Sequence, residues 1–187
     1  MSTKESSSSK DTGYTTLPLK WTPGKDLLRS NIPSDAYHVS QSEWSNETRS
    51  DVVYAANHNK NEEFPPVIIE IQYMVNQEFI YRLINYASNA FDRYKVSPVI
   101  LVIVTNSFCS AEFQNQFTIN ENNTCLLEAS CKLWAKKCVF LTPELVSTHF
   151  NDEDLNPMAA LGFFVTKHNV NEMPEKNRTD PTMVLKT

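Results

Sequence analysis

Pro65-Pro66-Val67-Ile68-Ile69-Glu70-Ile71-Gln72-Tyr73 is an apolar run with two polar residues set into it, Glu70 and Gln72. Side chains alternate across a strand with a period of two. Ile68, Glu70 and Gln72 therefore share one face, and Val67, Ile69 and Ile71 cover the other. A carboxylate inside such a strand is costly unless a cation, a metal or hydrogen bonds compensate it. The plainer alternative is the exposed face of an edge strand, and Ile68 on the same face argues against it.

Upstream, residues 49–56 contain Arg49-Ser50-Asp51-Val52-Val53-Tyr54 and read as a first strand. The polar stretch 57–63 joins the two runs as a hairpin with a long loop. Downstream, residues 76–94 carry Phe79, Leu83, Tyr86, Ala87, Ala90, Phe91 and Tyr94 at helical spacing. Val96-Ser97-Pro98 stops that helix, and Val99–Thr105 is a continuous β-branched run of the kind buried on both faces of a sheet. Strand, helix and buried strand in succession predict a βαβ crossover.

Further along, 110–123 is polar and reads as a loop excursion, 126–135 as a helix, and 137–141 as a strand closed by Thr142-Pro143. Residues 158–165 form a last helix, with Pro157 near its start. Before the first strand, Lys25–Arg29 begins a short helix stopped by Pro33, and Ser42–Glu47 is a loop or half a helix. The order predicts an α/β fold, a mixed central β-sheet flanked by helices.

The 187 residues are 41% hydrophobic and 11% aromatic, enough to build the core of one domain. That domain is expected over 17–166. The Ser6–Ser9 tail 1–16 reads as disordered, and 167–187 is polar and ends without a cap, as a truncated chain would. No apolar stretch resembles a secretory signal or approaches the ~20 residues of a membrane span. A soluble intracellular protein, cytoplasmic or nuclear, is expected. A net charge of −5 counts against a general electrostatic nucleic-acid binder, although a local basic patch remains compatible with it. With 3 glycines and neither a GxGxxG nor a Walker pattern, Rossmann cofactors and P-loop chemistry are excluded. Cys109, Cys125, Cys131 and Cys138 form no CxxC pair and read as reduced, mostly buried thiols rather than a zinc site. His38, His58, His149 and His168 stand singly.

Two carboxylates, Asp51 and Glu70, and the Gln72 amide on adjacent strands suggest a divalent-metal site, because a hard cation takes oxygen ligands. Asp51 alone would read as a turn or cap residue. Glu43 or Glu47 could add a further carboxylate from the preceding segment.

These residues resemble the PD-(D/E)XK nuclease superfamily, in its Rpn or transposase-like branch. The resemblance rests on Asp51-Val52-Val53-Tyr54, then Glu70-Ile71-Gln72, then Arg82-Leu83-Ile84-Asn85-Tyr86. Leu27-Leu28 through Ile32-Pro33, with Arg49, resembles the lead-in, and Asn156–Leu161 resembles the helix after the sheet. It covers residues 25–165. Gln72 stands where the superfamily name expects Lys, as is usual in this branch, and Ser50 stands where a Pro often precedes the first acid.

The resemblance implies a restriction-endonuclease-like core and an Mg²⁺-dependent endonuclease, with Mn²⁺ as a substitute, hydrolysing DNA phosphodiesters in recombination or mobile-element processes. It implies Asp51, Glu70 and Gln72 as catalytic residues, and Asp51, Glu70 and the main-chain carbonyl of Ile71 as metal ligands. Arg49 and Arg82 become candidates for phosphate contact, although Arg82 could equally hold the helix to the sheet. The alternative is a catalytically degenerate nuclease fold that serves as a binding or regulatory module.

Overall fold

The computed structural model describes residues 27–28, 32–33, 35–57, 64–149 and 156–167. Seven strands form one mixed sheet: β1 (Tyr37–Ser40), β2 (Val52–Ala56), β3 (Val67–Val75), β4 (Val99–Phe108), β5 (Thr118–Ile119), β6 (Leu127–Glu128) and β7 (Lys137–Leu141). Their spatial order is β1-β2-β3-β4-β7-β6-β5. The helices are α1 (Gln77–Tyr94), α2 (Ala111–Gln114), α3 (Pro143–His149) and α4 (Pro157–Lys167).

The β1–β2–β3 meander is antiparallel, and β3, β4 and β7 run parallel through the centre. As the β-branched run 99–105 predicts, β4 is central, with Val99 to Val104 buried. Its even residues Ile100, Val102 and Val104 join Ile68, Val53 and Phe140 beneath Phe79, Leu83, Tyr86, Ala87 and Ala90 of α1. Its odd residues Val99, Leu101 and Ile103 join Val67, Ile69, Val139 and Leu141 beneath Val146 of α3 and Met158, Ala159 and Leu161 of α4. The chain is thus an α/β fold of three layers, built where a run apolar on both faces receives helices on both sides.

α1 begins where the sequence places it. The Asn76 side chain accepts from Phe79 N–H at 2.9 Å, a good N-cap. Lys95, at φ 60°, ends the helix in a left-handed cap. Phe91 departs from the expected stripe and is 48% exposed.

Four expectations are corrected. Residues 126–135 form β6 and a turn, not a helix, because Leu127 and Glu128 extend the sheet against Phe140 and Val139. Residues 110–123 are not a plain loop. They hold α2 and β5, folded over an aromatic cluster in which Phe117 lies 4.8 Å from Phe108 and 4.9 Å from Phe140. Strand β1 and helix α3 were not foreseen. The expected first strand starts later, at Val52, with Arg49 in a lone bridge to Glu43 and Asp51 just outside β2. Of the expected helix at Lys25–Arg29, only Leu27 and Leu28 are described, and Leu27 is buried in the second core cluster. The tails 1–16 and 168–187, and the acidic stretch 151–154, lie outside the described residues.

Gly162 sets how closely α4 approaches the sheet. A Cβ there would lie 2.4 Å from Val146 Cγ2 and 2.8 Å from Leu141 Cδ2. Gly162→Ala is therefore expected to lower stability by about 1–2 kcal/mol, the overpacking outweighing the ~1 kcal/mol helix-propensity gain. The urea midpoint measures it; a raised midpoint would mean that the layers separate freely.

Candidate metal and catalytic site

The site lies where β3 leaves the core. Its first half is buried through Glu70, whereas Ile71, Tyr73 and Met74 are exposed. The cause is register: the β2–β3 ladder ends at Val52 opposite Ile69, so nothing from β2 covers β3 beyond Glu70. Ile71, expected to cover the second face, instead stands 49% exposed.

Asp51 falls one residue beyond that last pair, opposite Glu70, and the two residues interlock. Asp51 N–H donates to Glu70 Oε1 at 3.2 Å, and Ile71 N–H donates to Asp51 Oδ2 at 2.7 Å. Glu70 projects to the α1 face, as the alternation with Ile68 predicts. It is 4% exposed. Burial, and then the Asp51 charge, push its carboxyl up to about 7, against smaller opposing contributions from the Asp51 N–H, the Ser50 hydroxyl and Arg82. The Tyr86 phenol is also raised, by burial and then by the Glu70 charge, so Tyr86 stands in the field of the site as well as in the core.

Gln72 is held from two sides. Its Nε2 donates to Met74 O at 2.8 Å, and its Oε1 accepts from Arg82 Nη2 at 2.8 Å. One N–H and one lone pair of the amide are left over. The Arg82 guanidinium also lies over the Phe79 ring, 5.0 Å from its centroid. Arg82 therefore ties α1 to β3 through an amide rather than a carboxylate. Arg49 is exposed, and its Nε donates to Ser42 Oγ at 3.4 Å.

The sequence reading missed the support behind Asp51. Trp44 is buried in a tight loop closed by Trp44 N–H to Thr48 O and by Ser50 N–H to Ser42 O. Its indole N–H donates to Ser50 Oγ at 2.9 Å. Arg93 of α1 stacks over the Trp44 ring at 4.4 Å and donates to the Gln41 and Glu43 carbonyls. The signal in the sequence was a tryptophan in an otherwise polar stretch, whose stacking partner Arg93 lies far along the chain in α1.

Among the described residues, no group of three or more His, Cys, Asp and Glu side chains converges. Glu43 and Glu47 thus add no third carboxylate, and the site remains a two-carboxylate one. Cys125, Cys131 and Cys138 are buried and Cys109 is exposed, with no disulfide among the described residues. Among these residues, no helix is long and apolar enough to cross a membrane. No protein-family model, curated protein or solved structure matches the chain.

Proposed function

We propose that this protein is a metal-dependent DNA endonuclease of the PD-(D/E)XK type, with a restriction-endonuclease-like core formed by the β1–β2–β3 meander, α1 and parallel β4. Recombination or the movement of mobile elements is the process proposed for it. The observation that carries the reading is the pairing of Asp51 with Glu70 on neighbouring chain segments, at the point where β3 becomes accessible.

The donor set suits a hard divalent cation such as Mg²⁺ or Mn²⁺. Burial first, and then the neighbouring Asp51 charge, make Glu70 hold its proton, and a bound cation would offset that cost. A strand residue exchanges its N–H and carbonyl with the same neighbour. The Ile71 carbonyl therefore belongs on the same edge as its N–H, toward Asp51. Asp51, Glu70 and the Ile71 carbonyl would hold the cation. When bound, it would polarise a phosphodiester and acidify an attacking water. Gln72 keeps one N–H and one lone pair with which to orient that water, and Arg82 fixes the amide in place. Arg82, bonded to Gln72, and Arg49 are the candidates for contact with phosphate.

Nicking of supercoiled plasmid by the full chain with Mg²⁺, Mn²⁺ or EDTA tests the reading. Metal-dependent nicking is expected, with a loss of at least ~100-fold in Asp51→Ala and Glu70→Ala. Nicking that persists unchanged in both variants overturns it.

A second reading, a degenerate nuclease fold used as a binding module, is favoured by the neutral Gln72, tied into two hydrogen bonds, and by the net charge of −5. It expects no calorimetric Mn²⁺ binding and no cleavage by a well-folded sample.

A further inference from the structure

We propose that the substrate of the Asp51–Glu70 site is an unpaired DNA strand, with a base stacked on Tyr73 at the exposed end of β3. The proposal rests on the nuclease reading above and names the form of DNA that this site takes.

Beyond Glu70, residues of the site and exposed apolar residues share one short stretch of β3. Ile71 N–H bonds Asp51 Oδ2 at 2.7 Å, and Gln72 accepts from Arg82 at 2.8 Å. Tyr73, the next residue, is 69% exposed, and Ile71 and Met74 are exposed with it. Three large apolar side chains within four residues, at the lip of a polar site, form a patch rather than scattered surface residues. An added β-strand suits this stretch poorly. Its Ile71 N–H is taken by Asp51 and its Met74 carbonyl by the Gln72 amide, so main-chain groups that a pairing strand would use are already engaged. What the stretch offers is its side chains.

Unpaired bases match them. Every base has a π-face, and an exposed aromatic ring stacks on it with little regard to sequence. A duplex keeps its bases stacked inside and presents phosphates, whose capture calls for many Lys and Arg contacts. Here Arg82 and Arg49 are the candidates for phosphate, and the chain carries a net charge of −5. Stacking on Tyr73 therefore supplies more of the affinity than phosphate neutralisation does. Tyr73 stands three residues on from Glu70, roughly 10 Å along a strand. A base lying on it belongs to a nucleotide close to the phosphate held at the acids.

The test gives the full chain one end-labelled oligonucleotide sequence, as a single strand and as a duplex. Fluorescence anisotropy in EDTA reads binding, and gels with Mg²⁺ or Mn²⁺ read cleavage. The single strand is expected to bind at least about 10-fold tighter than the duplex and to be cut faster. Tyr73→Ala is expected to weaken single-strand binding by about 10-fold, the size of one lost stack, and to leave the thermal midpoint where it was. Tyr73→Phe, which keeps the ring, is expected to bind as the wild type does. Leu133→Ala, which removes a fully exposed apolar side chain from the turn before β7, is expected to do the same. A duplex bound and cut as well as the single strand, or Tyr73→Ala with wild-type affinity, overturns the inference while leaving the nuclease standing. A well-folded wild type that cuts neither form with either metal overturns the nuclease reading, and the inference with it. A wild-type dimer that Tyr73→Ala dissolves without loss of single-strand binding assigns the patch to a second copy of the chain and overturns the inference.

Discussion

Glu70→Gln is expected to raise the stability of the protein at about pH 8 by about 2–3 kcal/mol and to leave it nearly unchanged at about pH 4. The sign follows from Glu70 itself. Its carboxyl is raised from 4.5 to about 7 in the folded protein, by burial first and by Asp51 second. Between those values the folded chain keeps a proton that the unfolded chain has released. Stability therefore falls as the pH rises from about 4.5 to about 7, and it stays at the lower level above that. At about 1.4 kcal/mol per pH unit, the gap between 4.5 and about 7 is on the order of 3 kcal/mol. Glutamine keeps an acceptor for the Asp51 N–H but never ionises.

Urea unfolding of both proteins at the two pH values measures the effect. Equal stabilities at pH 8 would show that the ionised Glu70 is not strained. The same carboxylates give a second readout. Millimolar Mg²⁺ or Mn²⁺ at pH 8 is expected to stabilise the wild type by mass action and to leave Glu70→Gln almost unmoved. A variant more stable than the wild type yet unable to nick plasmid would separate the cost of the site from its purpose.

Phe140→Ala is expected to cost about 3–5 kcal/mol, among the largest losses a single substitution can cause here. Phe140 is fully buried on β7 and lies within 5.9 Å of Phe108 and 4.9 Å of Phe117, ring centroid to centroid. Those contacts hold more than a core. They fasten the 111–119 excursion, with α2 and β5, over the end of β4. Truncation should therefore also raise amide exchange in 111–119 beyond what global destabilisation accounts for. A loss below about 1 kcal/mol would mean that the neighbouring rings collapse into the space.

The excursion shows why part of the fold was illegible in the sequence. Between Ser110 and Asn123, only Phe113, Phe117 and Ile119 are large and apolar, too sparse for a period of 2 or 3.6 to emerge. Its structure comes from rings contributed by β4 and β7. The stretch 126–135 misled for a related reason: Leu126, Leu127 and Ala135 mimic helical spacing, but the exposed backbone edge of β7 captures Leu127 and Glu128. Strand β1 escaped notice because its four residues are half exposed and gain their order by pairing with β2.

The candidate site divides along the same line. Alternation alone placed Glu70 on the face of Ile68, and the α1 stripe with its Asn76 cap could be read from spacing, since each depends on residues within a turn or two of one another. Local order also made β4 central, because a run apolar on both faces must be covered on both faces. What only the tertiary structure decided was how the acids meet. The β2–β3 register stops at Val52, so Asp51 faces Glu70 from outside the ladder and takes the Ile71 N–H that no strand partner claims. The raised Glu70 carboxyl, the Arg82–Gln72 bond and the Trp44–Ser50 bond all follow from α1 and the Ser42–Ser50 loop closing over that end of β3. A pattern along the chain can mark a carboxylate as unusual. Its partners, and the water shut away from it, are set by segments distant in sequence and joined only in the packed fold.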